Sequence, residues 1–270
     1  DSLASNPNLD YWAWPAATQG APLDNMGHPL SMGKQTLWAV YNDADPNQHV
    51  VDAGSTVPLG IEIRQMVYAS DGPYYENNGA YIQYTLYNKG GNSITDFYIA
   101  FWMDPDVGGA GDDLVGCDTL NDIFYCYNAD NFDLQYLTPP PAAGVRVLGG
   151  PVVPSFGDTA IFNGRPLPNY RHLPMTALTK YITGTDPSSA VESYYYMTGR
   201  LANGSEYIYN GNPLKYMCSG DPVAGTGDID FNPGDRRMMA SFGPLTFNPG
   251  DSQQVLLKVA VGLGGDRLTS

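Results

Sequence analysis

The stretch AYIQYTLYNKGGNSITDFYIAFWM, residues 80–103, decides the fold class of this chain. Apolar and polar side chains alternate along residues 80–87, which is the period of a half-buried β-strand. The run NKGGN that follows is rich in glycine and asparagine, and both residue types favour tight turns. The sequence therefore predicts an antiparallel hairpin formed by residues 80–87 and 94–103.

Further strands are predicted on both sides of this hairpin, at residues 36–41, 60–70, 123–127, 144–153, 158–162, 206–209, 214–218, 237–247 and 253–262. Residues 163–190 are expected to be mostly connection, and residues 188–201, which begin with two capping serines, are the one helix candidate. The motif Phe-Asn-Pro-Gly-Asp occurs at 231–235 and again at 247–251, and this spacing favours neighbouring strands of one sheet.

Together these patterns predict an all-β fold, an antiparallel β-sandwich with long ordered loops and one short helix. Residues 1–34 lack a sustained period and are expected to form an irregular N-terminal arm that lies over the body. Residues 35–270 show no linker-like interruption and are expected to form a single β-sandwich domain.

The charge balance excludes several classes of partner. The 270 residues include 13 Lys and Arg against 28 Asp and Glu, a formal net charge of −15. Nucleic acids and anionic membrane surfaces both require a basic face, so neither is expected. No apolar run reaches the length of about 18 residues that a membrane span needs. Because the chain begins at Asp1 and not at Met, we expect a processed product.

An acidic stretch, residues 102–133, follows the hairpin and holds eight aspartates with no lysine, arginine or histidine. Like charges at this density repel one another unless something neutralises them. Asp104 and Asp106 alternate, a glycine-rich turn follows, and Asp112 and Asp113 come next, so that carboxylates and peptide carbonyls can converge on one point. Calcium takes six to eight oxygen ligands in irregular geometry, which makes it the predicted ion.

Other interpretations of the acidic stretch are weighed against calcium. A solvated acidic loop, with the aspartates as turn formers, stays open. An EF-hand does not fit, since the spacing fails after Asp106 and no glutamate closes the loop. Magnesium prefers to keep its waters, and zinc would need histidine or paired cysteines nearby.

The three cysteines, Cys117, Cys126 and Cys218, fit an oxidising compartment weakly. Any of the three pairings between them remains open, as does the absence of a disulfide.

Several runs occur in an order that resembles a protein family: QTLWAVYNDADP (35–46), PLGIEIRQMVYA, YNKGGNSITDFYIAFWMDPDVGGAGDDLVGCD, PPPAAGVRVLGGPVV, GDPVAGTGD and GGDRLTS. The chain resembles a large uncharacterised group of bacterial secreted or cell-surface β-sandwich proteins, which usually carry a C-terminal secretion-sorting or anchoring domain. This resemblance implies an extracellular or cell-surface location and no established activity. It also implies a recurring acidic set, which gives the predicted metal ligands as Asp104, Asp106, Asp112, Asp113 and Asp118.

The sequence favours a protein that is not an enzyme. It has no GxSxG or HExxH motif and no Cys/His arrangement, so a secreted hydrolase is the least favoured function. We expect an extracellular structural or adhesive protein, such as a filament, sheath or surface-layer subunit or a cell-surface module, stabilised by calcium. Self-association is expected through residues 1–34 and exposed strand edges.

A secreted carbohydrate-binding module is the alternative function. Aromatic side chains on loops can stack on the rings of a glycan. The candidates for such contacts are Trp12, Trp14, Tyr74, Tyr75 and Tyr170.

Overall fold

The computed structural model describes residues 9–51, 54–73, 77–182 and 185–270. Residues 1–8 of the predicted arm, and the candidate aromatics Tyr74 and Tyr75, lie outside these ranges. The strands within them are β1 (Gln35–Asn42), β2 (Val50–Val51), β3 (Gly54–Ser55), β4 (Ile61–Ala69), β5 (Gly79–Asn88), β6 (Ile94–Met103), β7 (Asp113–Asp118), β8 (Ile123–Asn128), β9 (Ala142–Gly149), β10 (Val152–Phe162), β11 (Arg165–His172), β12 (Ala177–Ile182), β13 (Tyr207–Tyr209), β14 (Asn212–Leu214), β15 (Arg236–Phe247) and β16 (Ser252–Gly262).

The described helices are short: α1 (Leu9–Trp12), α2 (Ala16–Gln19) and α3 (Ala190–Met197). Helix α3 confirms the predicted helix, and its start has a chemical cause. The Ser189 hydroxyl accepts the N–H of Glu192, and the Glu192 carboxylate accepts the N–H of Ser188 in return. This reciprocal capping satisfies amide groups that the first turn leaves free. Helices α1 and α2 are single turns within the predicted arm.

The strands form an antiparallel sandwich, which confirms the predicted fold class. One sheet has seven strands in the order β1-β4-β5-β16-β9-β8-β7, and the facing sheet has three in the order β12-β15-β6. The main core lies between them, with Phe124 and Leu257 of the larger sheet and Phe242 of the smaller one fully buried. Helix α3 covers the outer face of the smaller sheet, where Tyr196 packs on Tyr181 and Met239.

Two pairings expected from the sequence are wrong, and they fail for the same reason. Strands β5 and β6 do not form a hairpin, because β5 belongs to the larger sheet and β6 to the smaller one. Strands β15 and β16, which carry the repeated Phe-Asn-Pro-Gly-Asp motif, likewise belong to different sheets. Both turns are corners of the sandwich that carry the chain from one layer to the other. A turn motif predicts a reversal of the chain, but it does not say whether the next strand pairs or crosses over.

Several strands lie where the sequence predicted loops or connection, and β7, β11 and β12 are the longest of them. Strand β7 occupies the middle of the acidic stretch, with Val115 and Cys117 in the core. Strand β11 lies in the expected connection and forms a separate two-stranded sheet with β10. Its sequence RPLPNYRH has two prolines and little hydrophobic alternation, so its strand conformation comes from pairing and not from local pattern.

The two corners are tied together by the side chain of Asn88, which is 1% exposed. Its Nδ2 donates to the carbonyl oxygens of Asn92 at 3.0 Å and Phe247 at 2.9 Å, and its Oδ1 accepts the N–H of Gly90 at 3.0 Å. One amide therefore holds the end of β5 and the end of β15 in contact.

We expect Asn88→Ala to lower the free energy of unfolding by about 1–3 kcal/mol, because the backbone groups that the Asn88 side chain contacts would lose their hydrogen-bond partner. Urea unfolding followed by tryptophan fluorescence measures the change. The control is Asn92→Ala, which removes an exposed side chain at the same corner. Equal midpoints for the two variants would contradict this role for Asn88.

One side of the sandwich is sealed by chain from outside the two sheets. We call it the sealed side; it consists of the edges of β7 and β12 together with residues 215–234. Along β12, Leu178 donates its N–H to the oxygen of Lys215 and accepts the N–H of Met217. Along β7, Cys117 donates its N–H to the oxygen of Cys218, which lies one residue beyond Met217. Residues 215–218 therefore connect the edges of both sheets.

Candidate metal centre

The acidic side chains collect at one end of the sandwich because several strands begin or end there. Strand β6 ends just before Asp104, β7 begins at Asp113, β8 ends at Asn128, and β15 begins just after Asp235. Antiparallel pairing brings these ends together: Asp113 lies opposite Asn128, and Met103 lies opposite Met238. Topology therefore gathers aspartates from distant parts of the chain.

The structure brings two of the five predicted ligands to a residue that the sequence did not indicate. Asp104, Asp106 and Asp235 each place a carboxylate oxygen within 4.8 Å of the others. Three exposed or half-exposed carboxylates of this kind can hold a hard cation. Asp235 could not have been found from spacing, since it follows Asp104 by 131 residues and reaches it only through the pairing of β15 with β6.

This group already has a positive partner in Arg237. Its Nε donates to Asp104 Oδ2 at 3.1 Å, and its Nη2 lies 3.5 Å from Asp235 Oδ2. Its Nη1 lies 3.6 Å from a fourth carboxylate, that of Asp186. The sequence analysis predicted that an ion neutralises the repulsion between these aspartates. The Arg237 guanidinium already neutralises part of it, so the charge of the aspartates is a weak argument for a metal.

Asp112 and Asp113 lie deeper and face different partners. Asp112 Oδ2 accepts an N–H from the side chain of Asn128 at 3.1 Å. Asp113 is fully buried, and its Oδ2 accepts the N–H of Val107 at 3.2 Å. Burial raises the pKa of the Asp113 carboxyl to about 7, and the charges of Asp112 and Asp106 also raise it, against the lowering effect of the Val107 N–H.

Asp118 lies away from the other predicted ligands, at the far end of β7. A five-residue advance along a strand covers about 17 Å from Asp113. Its Oδ1 accepts the N–H groups of Leu120 and Asn121, and its Oδ2 accepts the Asn121 side chain at 2.6 Å. These bonds, led by that of the Asn121 side chain, lower its pKa. Asp118 is thus a turn former, as the alternative interpretation of the acidic stretch proposed, and the five predicted ligands do not converge on one point.

Asp133 organises the loop between Asp104 and Asp113, a role that the sequence did not indicate. It is 2% exposed, and it accepts the N–H groups of Gln135 and Tyr136 at 2.7 Å and of Gly109 at 2.9 Å. These bonds, that of Gly109 first, lower its pKa. Gly108 lies against the same carboxylate with φ +82°, and a Cβ there would lie 2.3 Å from it. The glycine turn therefore closes the loop around an aspartate 25 residues farther along the chain.

A buried ion pair also lies at this end. The Asp230 side chain is fully buried, and it accepts Arg236 Nε at 2.8 Å, Arg236 Nη2 at 3.0 Å and Lys180 Nζ at 2.6 Å. It also accepts the N–H of Val115 on the edge of β7, at 3.2 Å. One carboxylate thus joins β7, β12 and β15 on the sealed side.

No protein-family model matches this chain, and no curated protein sequence matches it. The resemblance to bacterial cell-surface proteins therefore stays a prediction. No helix of the described chain is long and apolar enough to cross a membrane.

The cysteines left open by the sequence are free thiols in the structure. Cys117, Cys126 and Cys218 are all buried. Burial raises the pKa of Cys117 and of Cys218 to about 12, and it raises that of Cys126 as well. Because the thiolate is the reactive form, none of the three is placed to act as a nucleophile at neutral pH.

Proposed function

We propose that this protein is an extracellular structural subunit that associates with copies of itself through one side of its sandwich, and that calcium stabilises its acidic end. The observation that carries the proposal is the difference between the sealed side and the opposite side. We call the opposite side the open side; it consists of β1, one terminal strand of the larger sheet, and β6, a terminal strand of the smaller one.

The open side presents the outer edges of two long strands. Strand β1 has eight residues and β6 has ten, and no strand of the described chain pairs with the outer edge of either. Monomeric proteins usually protect such edges with charges, prolines or bulges. The sequence of β1, QTLWAVYN, contains no charge and no proline. An unprotected edge of this kind favours addition of a strand from a second molecule.

The side chains on the open side are apolar as well. Leu37 is 58% exposed and Tyr41 43% exposed, and both project from the same face of β1. Beside them, a cleft of about 230 Å³ between the sheets is lined by Ile63, Tyr84 and Ile99, among others. The three-stranded sheet is too narrow to cover the inner face of β1, so no described residue of the single chain covers this surface fully.

We expect the wild-type protein to form larger species as its concentration rises, and Leu37→Lys to remain monomeric because a charge is then placed in the contact. Size-exclusion chromatography with light scattering measures the masses, and negative-stain images show their form. The matched control is Leu134→Lys, at a side chain 85% exposed in a loop outside the open side, and it should assemble like the wild type. A wild-type protein that stays monomeric at high concentration would defeat the proposal.

Carbohydrate binding is the second candidate, and a groove of about 810 Å³ favours it. The groove lies on the face of the larger sheet opposite the core, where Tyr125 and Tyr127 alternate with core residues of β8. Arg267 lies over the Tyr127 ring, 5.6 Å from its centroid. Tyr127 is 4% exposed, so Tyr125, which is half-buried, is the ring of this pair that can stack on a sugar. Glycan-array binding that Tyr125→Ala abolishes would support this function.

Three of the aromatics that the sequence indicated for glycan contacts, Trp12, Trp14 and Tyr170, are described by the structure, and none of the three lines this groove. Trp14 packs against Trp38, with ring centroids 6.4 Å apart, and its Nε1 donates to the oxygen of Pro22. Trp12 is 77% exposed on α1. Tyr170 lies in β11, on the separate two-stranded sheet.

A further inference from the structure

Two buried oxygens at the acidic end have no hydrogen-bond donor. They are Asp113 Oδ1 and Asn128 Oδ1, and both residues are fully buried. The two residues face each other across β7 and β8. Directly opposed residues of an antiparallel pair present their side chains on one face, with Cβ atoms about 4.5–5.5 Å apart. Two buried acceptors without a donor are unfavourable, so a positively charged or donating species is needed between them.

The surrounding groups orient these oxygens and add negative charge. The amide nitrogen of Asn128 is committed to Asp112 Oδ2, so the Asn128 oxygen is the atom left to accept. The Asp113 carboxylate is bound on its other oxygen by the Val107 N–H. The charges of Asp112 and Asp106 act on Asp113. The site therefore presents two buried side-chain oxygens, one from the carboxyl group of Asp113 and one from the amide of Asn128. The carboxylates of Asp112 and Asp106 lie near them.

The basic side chains nearest to this end are bound elsewhere. Arg236 pairs with Asp230, and Arg237 pairs with Asp104. Arg267 donates to the backbone oxygen of Asn128 at 3.0 Å, not to its side chain. The nearby Cys126 thiol lowers the pKa of Asp113, but its Sγ donates to the oxygen of Pro105 at 3.3 Å. Neither that thiol nor the three arginines has a hydrogen bond to Asp113 Oδ1 or Asn128 Oδ1.

We propose that a calcium-class divalent cation binds between Asp113 and Asn128, with the Asp112 carboxylate beside it, at a position distinct from the exposed group Asp104, Asp106 and Asp235. The ligands are all oxygens, which suits a hard cation, and calcium accepts irregular geometry that magnesium does not. The ion joins β7 to β8 and to the loop that Asp133 closes. This inference deepens the calcium stabilisation proposed above and does not depend on self-association.

The test compares variants in calcium and in chelator at pH 8, in the Leu37→Lys background so that assembly does not contribute. We expect calcium to raise the melting temperature of the parent by about 5–10 °C at one hundred times Kd, given the size of the chain. Calorimetric titration should give one tight site per chain. Asp113→Asn should weaken that binding about 100-fold or more, because it removes the buried charge that attracts the ion.

The sign of the stability change separates a cation from a proton. In chelator, Asp113→Asn should melt higher than the parent, because no charge is then buried; in calcium, the order should reverse. A second variant, Asn128→Asp, should be destabilised in chelator and recovered by calcium. The control is Asp118→Asn, which alters a turn at the other end of β7 and should leave the calcium affinity unchanged.

Three results would overturn the proposal. The first is a parent protein whose melting temperature calcium does not change. The second is an Asp113→Asn variant that gains the same stability in both media, since a proton shared by Asp113 and Asn128 would then satisfy the two oxygens. The third is loss of binding in Asp235→Asn with Asp113→Asn unaffected, which would place the ion in the exposed group. These three results concern calcium binding and stability alone. They would be the same if the wild-type protein failed to assemble.

Discussion

Asp230→Asn is expected to lower the free energy of unfolding by about 3–5 kcal/mol, which is the usual result of removing one partner from a buried ion pair. The Arg236 side chain is 5% exposed and would keep its charge in the interior with no carboxylate to receive it. Lys180, 24% exposed, can turn toward solvent and should contribute less to the loss. An asparagine keeps only one acceptor oxygen, so it cannot accept the Val115 N–H, Lys180 and both Arg236 nitrogens at once.

The measurement is urea unfolding at pH 7 for wild type and variant. The matched control is Asp71→Asn, which breaks the ion pair between Asp71 and Lys34, 2.8 Å long and exposed on both sides. Exposed pairs contribute about 0–1 kcal/mol, so the control should remain close to the wild type. If the two variants lose equal stability, Asp230 does not hold the sealed side together.

Phe124→Ala is expected to lower the free energy of unfolding by about 3–5 kcal/mol, through lost apolar contact and the cavity left behind. Phe124 is fully buried on β8, and its ring packs against Phe101 of the facing sheet with centroids 6.1 Å apart. The side chain therefore connects the two layers of the sandwich.

The same substitution at Phe156 is the control, since that ring is 99% exposed on β10. Phe156→Ala should change stability by no more than about 0.5 kcal/mol. Thermal unfolding by circular dichroism compares the two variants directly. A Phe124→Ala protein that unfolds together with the control would mean that the layers are not held by this ring.

Local pattern was sufficient to predict many individual elements. Alternation along residues 80–87 predicted β5, and the serine pair before Glu192 predicted α3, because both signals act within a few residues of chain. The all-β class follows from the same local signals. Residue type alone did not predict the role of Asp118. An aspartate at the end of a strand can bind a metal or form a turn, and Asp118 forms a turn.

Tertiary structure alone decided which strands pair and which aspartates meet. The sequence could not show that the turn after Asn88 crosses between layers, since that depends on the buried contacts of its amide with Phe247. It could not place Asp235 beside Asp104, or Asn128 opposite Asp113, because strand pairing brings together residues that are far apart in the chain. The sequence determined by itself that this chain makes strands, turns and one capped helix, because those depend on neighbouring residues. The layers, the open side and the acidic end depend on contacts between distant segments, and only the folded chain has them.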